Sequence, residues 1–251
     1  MKTRYGGHLL FSEQDDYGPV EVIELQNKMR SLHFGNTTQQ ATMFLHDRHL
    51  LVHKYTQAML TSLAWQVPQN VLILGLGGGS LAKFLLHHFK NVNIHAVELR
   101  PLVAYVAQQF FGLPSDDKRL SLYLCAAEEF LERDDVSSQY DLILVDLFLT
   151  RGEQDISVGI EPQLARLPEL LGNQGCITIN VIGDDYKLYP GLQAARQHFG
   201  DQLQLIEVEQ SNRVLLACNH TPPGFDEIDF TTLERRLRIP ARYYYNKLMP
   251  V

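Results

Sequence analysis

Residues 71–74, Val-Leu-Ile-Leu, run directly into Gly75-Leu76-Gly77-Gly78-Gly79-Ser80, and this junction limits the chain most. Four apolar residues without polar alternation suit a strand buried on both faces, as in the middle of a parallel sheet. The glycines allow a tight turn and close approach of backbone to a ligand. Leu81, Phe84, Leu85 and His88 then recur at helical spacing, with Ser80 as the expected N-cap. A parallel strand needs a crossover and a partner, and the pattern continues that way. Strands are expected at 94–97, 120–124, 142–145 and 176–181. Between them Pro101 opens a helix, Gly112 closes it, and 128–133 forms a short helix. Segments 203–208 and 214–218 read as a terminal hairpin. The expected fold is α/β: a doubly wound, mostly parallel sheet with a terminal antiparallel hairpin.

Upstream, the spacing predicts a helix over 46–65, and short strands at 20–25 and 29–34 lie between turn signals at 17–19 and Gly35-Asn36. The organisation read from this is a small N-terminal β unit at 1–45 and an α/β domain at 46–251. Cys125, Cys176 and Cys218 lie in apolar runs without a Cys-x-x-Cys pair and read as buried free thiols. The absence of a targeting segment makes the cytoplasm the expected location, and no apolar run is long enough to span a bilayer. A net charge of −7 argues against nucleic acid as a partner; it would suit a cationic substrate, but charge alone reads first as solubility.

Glu98 ends the strand after the glycine loop, 23 positions beyond Gly75, where a carboxylate can accept hydrogen bonds from both ribose hydroxyls. A dinucleotide fingerprint wants a sixth-position glycine, which is Ser80 here. Glycines at the first, third and fifth positions (Gly75, Gly77, Gly79) suit an adenosylmethionine-type nucleoside better. No Gly-Lys-[Ser/Thr] follows, which excludes a phosphate-cradling P-loop. His46, His49 and His53 share helical spacing but lack a supporting ligand pattern, so no metal is expected.

The segments VLILGLGGGSLAKFL, HAVELRPLVAYVAQQFFGLPSDDKRLSLYL and YDLILVDLF resemble the spermidine synthase (polyamine aminopropyltransferase) family, and YGPVEVIELQNKMRSLHFGNTTQQATMF is similar to its N-terminal β unit. The resemblance covers about residues 17–182. It implies the class I adenosylmethionine-dependent methyltransferase fold, a Rossmann-like sheet. It also implies decarboxylated adenosylmethionine, or adenosylmethionine itself, as cofactor-substrate, a small amine as acceptor, and a homodimer. Residue by residue, it makes Glu98 the ribose-binding acid, Gln40 a nucleoside contact, and Asp146 the first acid of the Asp-x-x-Asp motif that deprotonates the amine. The second acid falls at Leu149. The adenine-contacting Gly-Asp pair falls at Cys125-Ala126, with Glu128 two residues on as a substitute. The His-Glu pair before the motif methionine is Gln57-Ala58 before Met59.

The expected chemistry is aminopropyl transfer to an amine, with Asp146 taking the proton. Methyl transfer from adenosylmethionine is the alternative, since it needs less at the acceptor and fits the loss of the acid at Leu149. A nucleoside-binding relative without turnover is the third reading. Thr150 to Glu161, with Glu153 and Asp155, reads as a loop or gate over the site. Asp184-Asp185 reads as a solvated turn, and Tyr243-Tyr244-Tyr245 as tail packing.

Overall fold

The computed structural model describes residues 5–133, 136, 140–151, 154–157, 166–182, 187, 189, 191–208 and 212–251. Strands β1 (His8–Asp15), β2 (Gly18–Leu25), β3 (Met29–His33) and β4 (Ala41–Phe44) form an antiparallel sheet in chain order. Helix α1 (Lys54–Ala58) leads to the main domain. There β5 (Asn70–Leu74), α2 (Ser80–His88), β6 (Asn93–Glu98), α3 (Pro101–Phe111), β7 (Leu120–Leu124), α4 (Ala127–Glu132) and β8 (Tyr140–Val145) alternate. A small hairpin of β9 (Phe148–Arg151) and β10 (Gln154–Ser157) follows, then α5 (Leu167–Leu170), β11 (Leu171–Ile182) and α6 (Leu192–Phe199). The chain ends with β12 (Gln204–Glu207), β13 (Asn212–Cys218), α7 (Phe230–Leu237), α8 (Ala241–Tyr245) and β14 (Met249–Pro250).

The large sheet has the order β14-β12-β13-β11-β8-β5-β6-β7. Pairs among β11, β8, β5, β6 and β7 are parallel, and those among β11, β13, β12 and β14 are antiparallel. Val71 and Ile73 pack with α2 and α7 on one face, whereas Leu72 and Leu74 pack with α4 and α5 on the other. All four are nearly inaccessible, which is why the run shows no polar alternation. From β5 the chain builds outward to β7, then returns to lay β8 on the opposite side of β5. The switch point lies between β5 and β8, where open α/β sheets leave a crevice for ligands.

Three expectations need correction. The helix over 46–65 reduces to α1 and a 3-10 turn at Thr61–Ala64. Residues 46–53 form turns instead, with Leu50 N donating to Asp47 O and Arg238 paired to the Asp47 carboxylate. Gly79, not Ser80, is the N-cap of α2, in a left-handed conformation at φ 68°. Cys176 and Cys218 are directly opposite in the β11–β13 register and form a disulfide, leaving Cys125 as the free cysteine. Their sequence separation of 42 residues concealed a contact that only strand pairing creates.

The N-terminal sheet packs Val20, Val22, Leu32 and Met43 against Val103, Val106 and Phe111 of α3. Arg100, 5% exposed at the start of α3, adds a polar latch. Its guanidinium donates to both oxygens of Asp15 at 3.0 and 2.8 Å and to Gly18 O at 2.8 Å, and lies 4.5 Å from the Phe34 ring centre. Asp15→Ala strands this cation, and a destabilisation of about 2 kcal/mol is expected because Asp15 itself is partly exposed. Thermal denaturation should show a fall of about 6 °C, and an unchanged midpoint would show the latch to be idle.

Candidate nucleoside and acceptor site

The register explains why residues far apart in the chain meet. Leu74 pairs with Val97 on one side and Val145 on the other, and Val145 pairs with Ile179. One residue further along each strand come Gly75, Glu98, Asp146 and Asn180, a row along the carboxyl edge at the switch point. Gly75 N donates to Val97 O, and Asp146 N donates to Leu74 O.

A cavity of about 550 Å³ opens over this row. Gly75, Gly77, Glu98, Ala126, Glu128, Asp146 and Gln40 all line it. Gly79 does not. It turns the chain into α2, and an added Cβ there would sit 3.0 Å from Leu113. Gly75 has φ 91°, and an added Cβ would lie 2.2 Å from Asp146 O, so only glycine lets the loop pass the end of β8. Gly78 meets Ala41 of β4 in the same way, at 2.6 Å, which seats the N-terminal sheet against the loop.

Glu98 has a structural task that its sequence position did not suggest. Its Oε2 accepts from Leu76 N and Gly77 N at 3.1 and 3.3 Å, and its Oε1 accepts from Arg100 N at 2.9 Å. The carboxylate therefore holds the glycine loop while lining the cavity. Burial raises its pKa, and the three backbone donors oppose that shift. Ala126 is the N-cap of α4 and offers no side-chain bond, while Glu128, Glu129 and Glu132 of α4 line the wall beside it.

Asp146 lies where β8 ends. It is partly accessible through the cavity it lines, but protein encloses the carboxyl on its other sides. Oδ1 accepts from Asn180 Nδ2 at 2.8 Å, and Oδ2 accepts from Tyr55 OH at 3.3 Å. Burial pushes its pKa up to about 6, against the pull of those two donors. Tyr55, Asn180 and Arg100 were missed in the sequence, as were Tyr17 and Phe34 on the cavity wall. Asn180 carried a usable signal, being a lone amide near the end of an apolar strand. Tyr55 read as one more apolar position of a helix.

Leu149 falls on β9, paired with Ile156, so the segment read as a loop begins as a hairpin; Glu153, Glu161, Asp184 and Asp185 lie outside the described residues. His49 stacks on His87 at 4.2 Å, and His53 sits at the N-cap position of α1 with no side-chain capping bond. Tyr244 packs inward, its hydroxyl donating to Lys54 O. Among the described residues there is no cluster of three metal-ligating side chains, and no helix is long and apolar enough to cross a membrane.

No protein-family model matches the chain. It is similar to the polyamine aminopropyltransferase of Chromobacterium violaceum, with 36% identity over 130 residues, 51% of this chain and 49% of that one. The Neisseria meningitidis (serogroup A) protein of the same name is 27% identical over 84% of this chain and 80% of its own length. The eEF1A lysine and N-terminal methyltransferase of Bos taurus is 26% identical over 78% of this chain and 31% of its own length. The matched segment thus spans about half of the Chromobacterium protein and about a third of the bovine one. Among solved structures, a probable spermidine synthase from Corynebacterium glutamicum superposes with a TM-score of 0.71 at 16% identity, covering 90% of this chain and 86% of that one. Human methyltransferase-like protein 13, solved with SAH, gives 0.61 at 22% identity over 77% and 93%. With the strand order and the N-terminal sheet, these likenesses establish that the chain has a class I methyltransferase fold of the spermidine synthase-like kind.

Proposed function

We propose that the chain is a transferase that binds an adenosylmethionine-type nucleoside in the cavity over Gly75 and Glu98 and moves an aminopropyl group from its sulfonium to an amine. The observation that carries this reading is Asp146: a carboxyl with a raised pKa on the wall of the nucleoside cavity, at the carboxyl edge of the central strands. In the reaction an ammonium acceptor gives a proton to the Asp146 carboxylate. The freed nitrogen lone pair forms a bond to the carbon beside the sulfonium. The C–S bond breaks, its electron pair stays on sulfur, and a neutral thioether leaves. Glu98 and the glycine loop orient the nucleoside so that the carbon faces the amine.

The charge of the wall supports the decarboxylated donor. Glu98, Glu128, Glu129, Glu132 and Asp146 line the cavity, and Arg100, its one arginine among the described residues, is tied to Asp15. Such a wall favours a sulfonium with an ammonium tail over one with an extra carboxylate. Methyl transfer is the second reading, supported by the methyltransferase relatives and by Leu149 in place of the motif's second acid. A homodimer through the N-terminal sheet, whose β1 is largely exposed, and a cytoplasmic place in polyamine synthesis belong to the first reading.

Calorimetric titration with decarboxylated adenosylmethionine, methylthioadenosine and adenosylmethionine tests it. Tighter binding of the first two, by about tenfold or more, is the expected result. Preference for adenosylmethionine moves the assignment to methyl transfer, and no binding by any of the three refutes both.

A further inference from the structure

A second cavity, of about 630 Å³, adjoins the first and shares Gln40, His53, Tyr55 and Phe148 with it. Asn212, at the start of β13, is part of its wall. Asn212 also belongs to a chain of amides. Its Nδ2 donates to Asn180 Oδ1 at 3.0 Å, and Asn180 Nδ2 donates to Asp146 Oδ1 at 2.8 Å. An amide has one accepting and one donating end. Flipping Asn180 would set its oxygen against the carboxylate and its NH₂ against that of Asn212, and both contacts repel. The carboxylate thus fixes the direction of the chain, and the chain fixes the carboxylate from β11 while Tyr55 holds it from α1.

Resting on the amine-transfer reading above, we propose that Asn180 and Asn212 are positioning residues for the acceptor: Asn212 meets the amine in the second cavity, and Asn180 holds Asp146 in the rotamer that takes its proton. Asp146 lines the first cavity and not the second, so an acceptor seated at Asn212 reaches it across the wall that the two cavities share at Tyr55 and Phe148. Among the described residues, the titratable groups on the two cavity walls include Tyr55 and His53 at α1, Lys54 on the second, and Glu98, Arg100, Cys125, Glu128, Glu129 and Glu132 across the first.

The test compares Asn212→Ala and Asn180→Leu with the wild-type protein. Asn212→Ala should raise the KM for the amine about tenfold, the loss of one good hydrogen bond, and lower kcat less. Asn180→Leu removes a donor to the carboxylate, so the acid limb of kcat/KM should move up by about one pH unit. Methylthioadenosine binding should stay within about twofold in both, as expected of residues that do not touch the nucleoside. A folded Asn212→Ala with wild-type amine KM and pH profile overturns the proposal.

If no amine is turned over, carboxyl ¹³C NMR of the full chain follows Asp146 directly, with its signal assigned by Asp146→Asn. A higher titration midpoint in Asn180→Leu, and a smaller rise in Asn212→Ala, supports the amide chain. Equal midpoints in all three proteins overturn it. Failure of the wild-type protein to bind methylthioadenosine refutes the transferase reading instead, and is read separately.

Discussion

Asp146→Asn is expected to lower turnover about a thousandfold while leaving nucleoside affinity within a factor of about two, because it removes the proposed general base and preserves shape. Single-turnover kinetics and calorimetry with methylthioadenosine check the two halves. Activity within about tenfold of the wild-type protein would remove Asp146 from the chemistry. The pH dependence follows from the same group. Burial raises its pKa from 3.8 to about 6, and the base acts when deprotonated. Activity should therefore be complete above that value and fall tenfold per pH unit below it. For stability the sign is opposite. A carboxyl whose folded pKa is raised stabilises the fold fully below its unfolded pKa, and that contribution is lost as pH rises through about 6. At neutral pH the buried charge costs stability, so Asp146→Asn should melt at the same temperature as the wild-type protein or higher. A lower melting temperature together with lost activity would mark Asp146 as structural.

Gly75→Ala is expected to have the largest effect on the fold. The new methyl would lie 2.2 Å from Asp146 O at a backbone φ of 91°, so the loop or the end of β8 must move. A cost of about 3 kcal/mol is expected, from strain at a special backbone conformation plus a steric clash. For a chain of this size that lowers the melting temperature by about 9 °C, and nucleoside binding should fall with it. Gly77→Ala is the control. Gly77 also has a positive φ, 53°, but its Cβ would meet nothing within 4 Å, so its cost should be about 1 kcal/mol. Equal melting temperatures for the two variants would remove the contact with Asp146 as the cause.

Much of this site could be read along the chain because local rules produce it. An apolar strand, a glycine turn and a helix are specified within neighbouring residues, Glu98 follows from its place at a strand end, and Asp146 was singled out by the family resemblance. The gaps arose where the partner is distant. Apolar spacing over 46–65 suggested a long helix, but Asp47 and its pairing with Arg238 belong to a stretch of turns. Ser80 was expected to cap α2, but the left-handed turn that glycine allows at position 79 moved the cap by one residue.

Local pattern along the sequence was therefore enough to determine the parallel α/β sheet, two of the four N-terminal strands, the glycine loop and the acid Glu98 beside it, because each depends on propensity and burial within a few residues. Only the tertiary structure decided that Cys176 faces Cys218, that Arg100 latches the N-terminal sheet through Asp15, that Glu98 also holds the loop, and that Tyr55, Asn180 and Asn212 converge on Asp146. Those relations depend on strand register and on the order of strands in the sheet. Long-range pairing sets both, and no local run of residues encodes them.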